Sequence, residues 1–251
     1  MSQLLDLELY KFMLIFLRIG AAVMLMPGFR TAYVNTNVRL CFALALCFIL
    51  LLPLAPNLPP RPDSFAETIR IVISEITFGV FLGVFMQILF SALNLAGNIG
   101  GQAIGFANAQ IFDPASQNQS VVIDSFLSIT ALTVIFITDL HHLMLSAVID
   151  SYRLFPVGNV LPVGDFSNAL SSTLNQSFIM GFKIGSPFIA FTIIFYVGMG
   201  LVSRLMPQLN IFFLSLPLQI YLGLGLLFIT VPIIIIWFTK YFEDGIRQFI
   251  N

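Results

Sequence analysis

Three residues near the end of one oily stretch offer what a metal ion would bind: Asp139, His141 and His142, in the run "TDLHHL". Imidazole nitrogens and a carboxylate oxygen are zinc ligands. On a helix, however, adjacent histidines point to different faces, and no Cys or Glu stands nearby in sequence. The expectation is therefore no metal, and a helix-end or interface pair instead. Glu75, Asp124, Asp150 and Lys183 are ionisable residues in or beside apolar stretches. Inside a membrane such residues default to function or to pairing. Salt bridges between helices or subunits are expected of them ahead of a proton relay, Glu75 with Lys183 among them. Cys41 and Cys47 stand six apart in one apolar stretch. That separation is too long for bridge geometry on a single helix, so both read as plain thiols. Catalytic and nucleotide-binding signatures are missing (no G-x-S-x-G, H-E-x-x-H, P-loop or G-x-G-x-x-G). The chain reads as no enzyme, with no cofactor.

The elements that must carry these residues follow from composition. Only 9% of the 251 residues are charged and the mean hydropathy is +0.97. A soluble domain carries about 25% charged residues, so too little charge is present to cover a surface in water. An all-α integral membrane protein is the fold class expected. A net charge of −1 argues against nucleic acid. About six hydrophobic segments are legible, roughly 9–26, 39–56, 69–104, 118–149, 178–202 and 211–239, several of them broken or kinked. Arg18 interrupts the first, and Asp6 and Glu8 precede any basic residue, so it does not read as a secretory signal. Pro-rich "PLAPNLPPRPDS" and the doubled Pro-Val-Gly of "FPVGNVLPVGDF" read as loop and turns.

The third segment is not built for lipid alone. At 100° per residue Gly79, Gly83, Gly97, Gly101 and Gly105 share one arc, and Gln87, Ser91, Asn94, Asn98 and Gln102 the adjoining one. Small residues four apart let backbones approach closely. Amides left unpaired in hydrocarbon would each cost several kcal/mol, on the order of 2–7. They must meet another helix, another subunit or water. Asp113 before Pro114 reads as an N-cap followed by a first-turn proline. The third helix should therefore end near Gly105, leaving "FANAQIF" as a short loop buried in protein or lining a pore. Gln117, Asp124 and Ser128 then share a face of the next helix.

At these residues the chain resembles the FliR family of the bacterial flagellar export gate, in "GQAIGFANAQIFDPASQNQ" and in "RLMPQLNIFFLSLP". The injectisome relative SctT is the alternative. Segment order and the "FPVG" turn also fit, and the resemblance covers nearly the whole chain. Flagellar members often carry a small residue before the histidine after the fourth segment, where this chain has Leu140. The resemblance implies a single membrane domain over 1–251, a FliP-like part to about residue 200 and a FliQ-like hairpin beyond it. It implies a structural, pore-forming subunit of the type III export gate in the bacterial inner membrane, at the flagellar basal body. FliP- and FliQ-like subunits would be its partners, with FlhA- and FlhB-like proteins, unfolded export substrates and membrane lipid. The loop Gly105, Phe106, Ala107, Asn108, Ala109, Gln110, Ile111, Phe112, Asp113 and Pro114 would plug the closed pore. Gly97, Gly101, Gln87, Asn94, Asn98 and Gln102 would pack helices or face that pore. Glu75, Asp124, Lys183, Arg204, Gln208 and Asn210 are candidates for subunit interfaces. A small-molecule or ion transporter with its site at the broken third and fourth segments is the rival reading, although no internal repeat is visible.

Overall fold

The computed structural model describes residues 2–29, 34–105, 121–159, 162–208 and 211–250. Among them the chain forms seven α-helices: α1 (Ser2–Leu25), α2 (Thr36–Leu54), α3 (Phe65–Ile104), α4 (Val121–Ile137), α5 (Leu140–Leu154), α6 (Val163–Leu205) and α7 (Ile211–Arg247). A 3₁₀ turn, Ala55–Asn57, follows α2. The protein is thus an all-α integral membrane protein. Among the described residues four helices (α2, α3, α6 and most of α7) are long and apolar enough to cross a bilayer, or five if the broken pair α4–α5 counts as one.

Hydropathy marks only the oily part of the longest helices. The 43 residues of α6 extend 15 residues upstream of the apolar segment, through Val163 and the polar run after it. The second Pro-Val-Gly is accordingly not a turn. Pro162 accepts the Phe166 N–H at 3.0 Å through its carbonyl and stands at the mouth of α6. It is the residue just before the helix, and its carbonyl takes the first bond of the helical ladder. The first Pro-Val-Gly does turn, with Gly158 at φ +91°.

The chain divides into two interleaved compact units. One comprises residues 1–89, 139–173 and 243–251; the other comprises 90–138 and 174–242. In the first, α3 lies tight against α1. A Cβ at Gly79 would fall on the Arg18 carbonyl oxygen, and one at Gly83 would lie 2.6 Å from the Leu25 Cβ. An aromatic cluster closes this unit: Phe81 stacks on Phe166 at 3.9 Å, Phe78 on Phe155 at 5.1 Å, and Phe249 meets the Phe85 ring edge-on. In the second unit, the later half of α3 is held by α4 and α6 in the same manner. A Cβ at Gly97 would lie 2.6 Å from the Asp124 Cα, and one at Gly181 would lie 2.6 Å from the Ala92 carbonyl oxygen. The glycine arc is therefore a close-packing device inside the subunit.

The crossing helices differ in what covers them. In its most apolar window α3 is 61% buried within the chain, whereas α6 and α7 reach only 11% and 17%. Ile194, Val197 and Leu201 of α6 and Phe228, Ile229 and Ile236 of α7 are exposed. Surfaces that apolar need lipid or other membrane proteins around them.

Candidate functional site

The end of α3 and the elements around it form the site that the sequence singles out. Gly105 terminates the helix in the left-handed region, φ +93°, where an L side chain is strained. Its N–H closes a tight last turn onto the Gln102 carbonyl at 3.1 Å. The last carbonyls of a helix lack intrahelical donors, and one of them is served by a residue far along the chain. Gln219 of α7, 1% exposed, donates its Nε2 to the Ala103 carbonyl at 2.8 Å. Its amide also sits against Gly105, where a Cβ would meet it at 3.1–3.3 Å. Sequence reasoning missed Gln219; the signal was a lone amide in the oily run "FFLSLPLQIYLGLG".

Gln219→Leu keeps the bulk but leaves the buried Ala103 carbonyl without that donor. The expected cost is about 1–3 kcal/mol, read as a lowered thermal midpoint of the purified chain in detergent. A Leu variant as stable as the parent would mean that the end of α3 does not depend on this bond.

The amide arc runs along the last turns of α3. Asn94 is half-buried and its Oδ1 accepts from Ser128 Oγ of α4 at 3.0 Å. Ser128 also reaches Asp124 Oδ1 at 3.4 Å. Asp124, half-buried, thus belongs to an α3–α4 contact that Gly97 makes possible. Asn98 is exposed and donates back to the Asn94 carbonyl at 2.8 Å. Gln102 is exposed too, on a groove shared with Ile99, Ala103, Ile189, Thr192 and Ile193. Gln87 is half-buried and Gly101 buried. Phe106, Ala107, Asn108, Ala109, Gln110, Ile111, Phe112, Asp113, Pro114 and Gln117 lie outside the described residues, as does Asn210. Arg204 and Gln208 are exposed at the end of α6, and Lys183 is exposed beside Pro187 and Trp237.

The ionic centre of the first unit is elsewhere. Arg18 and Glu75 are both 0% exposed and form a two-pronged pair, Nε to Oε2 at 2.7 Å and Nη2 to Oε1 at 2.8 Å. Arg18, not Lys183, is the partner of Glu75. The remaining arm of the guanidinium, Nη1, donates to the Ser151 carbonyl at 3.2 Å and the Phe155 carbonyl at 3.0 Å. The Tyr152 and Phe78 rings lie 4.1 and 4.7 Å from its central carbon. A buried charge is tolerated only when paired and hydrogen-bonded, and each of the three guanidinium nitrogens here has an acceptor. It ties α1, α3 and α5 together, so Glu75 is spent inside the subunit. The cue was Arg18 itself, an arginine inside an oily helix.

Asp139, His141 and His142 are brought together where the sequence suggested divergence. The imidazole rings of the adjacent histidines lie 4.1 Å apart, tilted by 36°. Asp139 stands at the N-cap of α5 with φ 59°, the left-handed region, and its carboxylate is 3.4 Å from His142 Nδ1. Short polar side chains such as Asp tolerate that conformation, so the tight turn forms with Leu140 in place of a small residue.

The profile of the bacterial export proteins, family 1, matches residues 9–245. The flagellar biosynthetic protein FliR of Caulobacter vibrioides is 35% identical over 238 residues, 94% of each chain. That of Bacillus subtilis is 28% identical over 100% of this chain and 97% of its own. That of Escherichia coli strain K12 is 28% identical over 87% of this chain and 83% of its own.

Proposed function

The chain belongs to the bacterial export proteins, family 1, as a membrane component of the flagellar export apparatus, and from that premise we propose that it is a structural, pore-forming subunit of the type III export gate. It assembles with FliP- and FliQ-like subunits in the bacterial inner membrane, at the basal body, with FlhA- and FlhB-like proteins as neighbours and unfolded polypeptides as cargo. Its residues to about 200 form the FliP-like part and the remainder the FliQ-like hairpin. The role is mechanical and not enzymatic. Residues 105–114 plug the closed pore.

The observation that carries this reading is the family match across nearly the whole chain. Two features support it. The exposed apolar faces of α6 and α7 require partners or lipid. Gln102 and Asn98 present exposed amides in the last two turns of α3, as a surface near water or polypeptide would. Exposed Arg204, Gln208 and Lys183, with Asn210, are the residues assigned to subunit contacts; the exposed amides of Asn98 and Gln102 face the plug, while Gly97 and Asn94 hold α3 against α4.

Deleting Phe106–Phe112 in cells that assemble the gate should make the membrane leak ions and small solutes at least several-fold faster than the parent strain. A deleted form that still assembles and stays tight would refute the plug. Purification checks the assembly separately. The chain should come out with FliP- and FliQ-like subunits in excess and unfold at a lower temperature without them; a chain that purifies without such subunits and is no less stable for it would point to a transporter.

A further inference from the structure

We propose that Asp139, His141 and His142 form a binding site for one divalent transition ion of the zinc class at the start of α5. One donor atom from each residue lies within 4.8 Å of the other two. In a tetrahedral zinc site with bonds of about 2.0–2.1 Å, donors stand roughly 3.3–3.5 Å apart. His142 Nδ1 and Asp139 Oδ1 are already at 3.4 Å. The rest of the gap is closed by side-chain rotation, which the exposure of Asp139 and His142 leaves free.

The backbone explains how neighbours on a helix can share an ion. The left-handed residue Asp139 starts α5, and its side chain makes no capping bond to the helix. The carboxylate is thus directed at the histidines of the first turn and not at the backbone N–H groups. A helix N-terminus by itself repels cations, so the carboxylate is the necessary third ligand and not an accessory. Two imidazoles with one carboxylate suit zinc, nickel or copper, and do not suit calcium or magnesium, which need more oxygen ligands. Three protein ligands leave a fourth position for water. The bound ion would fix the left-handed turn and the first turn of α5.

The experiment is zinc titration by calorimetry of the full, untagged chain in detergent, with cobalt as an optical reporter. The parent should bind one equivalent of zinc with micromolar affinity, and cobalt should give the visible bands of a tetrahedral site. His142→Ala, His141→Ala and Asp139→Ala should each weaken binding at least tenfold. Asp139→Gly relieves the backbone while removing the ligand, so it separates coordination from folding: it should fold normally and still bind at least tenfold more weakly. Amide exchange over residues 139–143 should slow when zinc is added to the parent only. The proposal is overturned if the parent binds zinc no better than the His141→Ala/His142→Ala variant, or if Asp139→Gly binds like the parent.

Discussion

Arg18→Met should be the most damaging side-chain substitution in the chain. It leaves the Glu75 carboxylate buried with no cation, and strips donors from the Ser151 and Phe155 carbonyls. Removing one partner of a buried pair costs about 3–5 kcal/mol, a large share of the 5–15 kcal/mol that holds a typical domain together. The expected result is severe loss of folded protein in the membrane, with loss of motility to match. The double variant Arg18→Met/Glu75→Leu should recover part of that loss, because an apolar pair carries no stranded charge.

A charge exchange discriminates more sharply. Arg18→Glu/Glu75→Arg keeps one positive and one negative group. Were the pair a simple ionic contact, the exchange would restore stability. The geometry says otherwise. On the α5 side the position of Arg18 faces the carbonyl oxygens of Ser151 and Phe155, which repel a carboxylate. It also faces the electron-rich rings of Phe78 and Tyr152, which favour a cation. The exchanged variant should therefore stay near the level of the single variants. Recovery to the parent level, measured as folded protein per cell and by thermal unfolding, would show that only the pair of charges matters.

This cluster also marks where reading the sequence stops. Both ions stood in apolar runs and demanded partners, but the partner of Glu75 is 57 residues away and the carbonyls that complete the shell are 133 and 137 residues from Arg18. Nothing local encodes that meeting. Gln219 was hidden for the same reason, 116 residues from the carbonyl it serves. What was legible rests on local rules. The end of α3 at Gly105 could be read because a glycine and a later Asp-Pro both punctuate helices. The close-packing arc could be read because 3.6 residues per turn places glycines four apart on one face. The extent of α6 could not be read, since its first turns are polar and hydropathy registers only lipid-like stretches. The histidine geometry was misjudged because the rule for neighbours on an ideal helix does not reach a first turn led by a left-handed residue.

The glycines supply a second large effect, because their position fixes its sign. Alanine in place of glycine in a helix interior ordinarily gains about 0.8–1 kcal/mol. At Gly79 and Gly97 the gain is overridden. The new Cβ at Gly79 would overlap the Arg18 carbonyl oxygen, and at Gly97 it would sit 2.6 Å from the Asp124 Cα. Both obstacles are backbone atoms, so a whole helix must shift rather than a side chain swing. Overpacking of this kind costs about 1–3 kcal/mol or more. For Gly79→Ala the shift would also pull on the residue that carries the buried guanidinium. Gly198 is the matched comparison: helical, exposed, with nothing within 4 Å of a built Cβ. Gly198→Ala should leave the isolated chain as stable as the parent or slightly more so, while Gly79→Ala and Gly97→Ala lower its thermal midpoint. In the assembled gate the comparison becomes a probe of the uncovered face of α6. If a partner helix packs there as tightly as α1 packs on α3, Gly198→Ala will block co-purification of partner subunits without harming the isolated chain. If lipid covers that face, both measurements will stay at the parent level. A Gly79→Ala or Gly97→Ala variant as stable as the parent would show that the helices are not in backbone contact, and the reading of the glycine arc would fall with it.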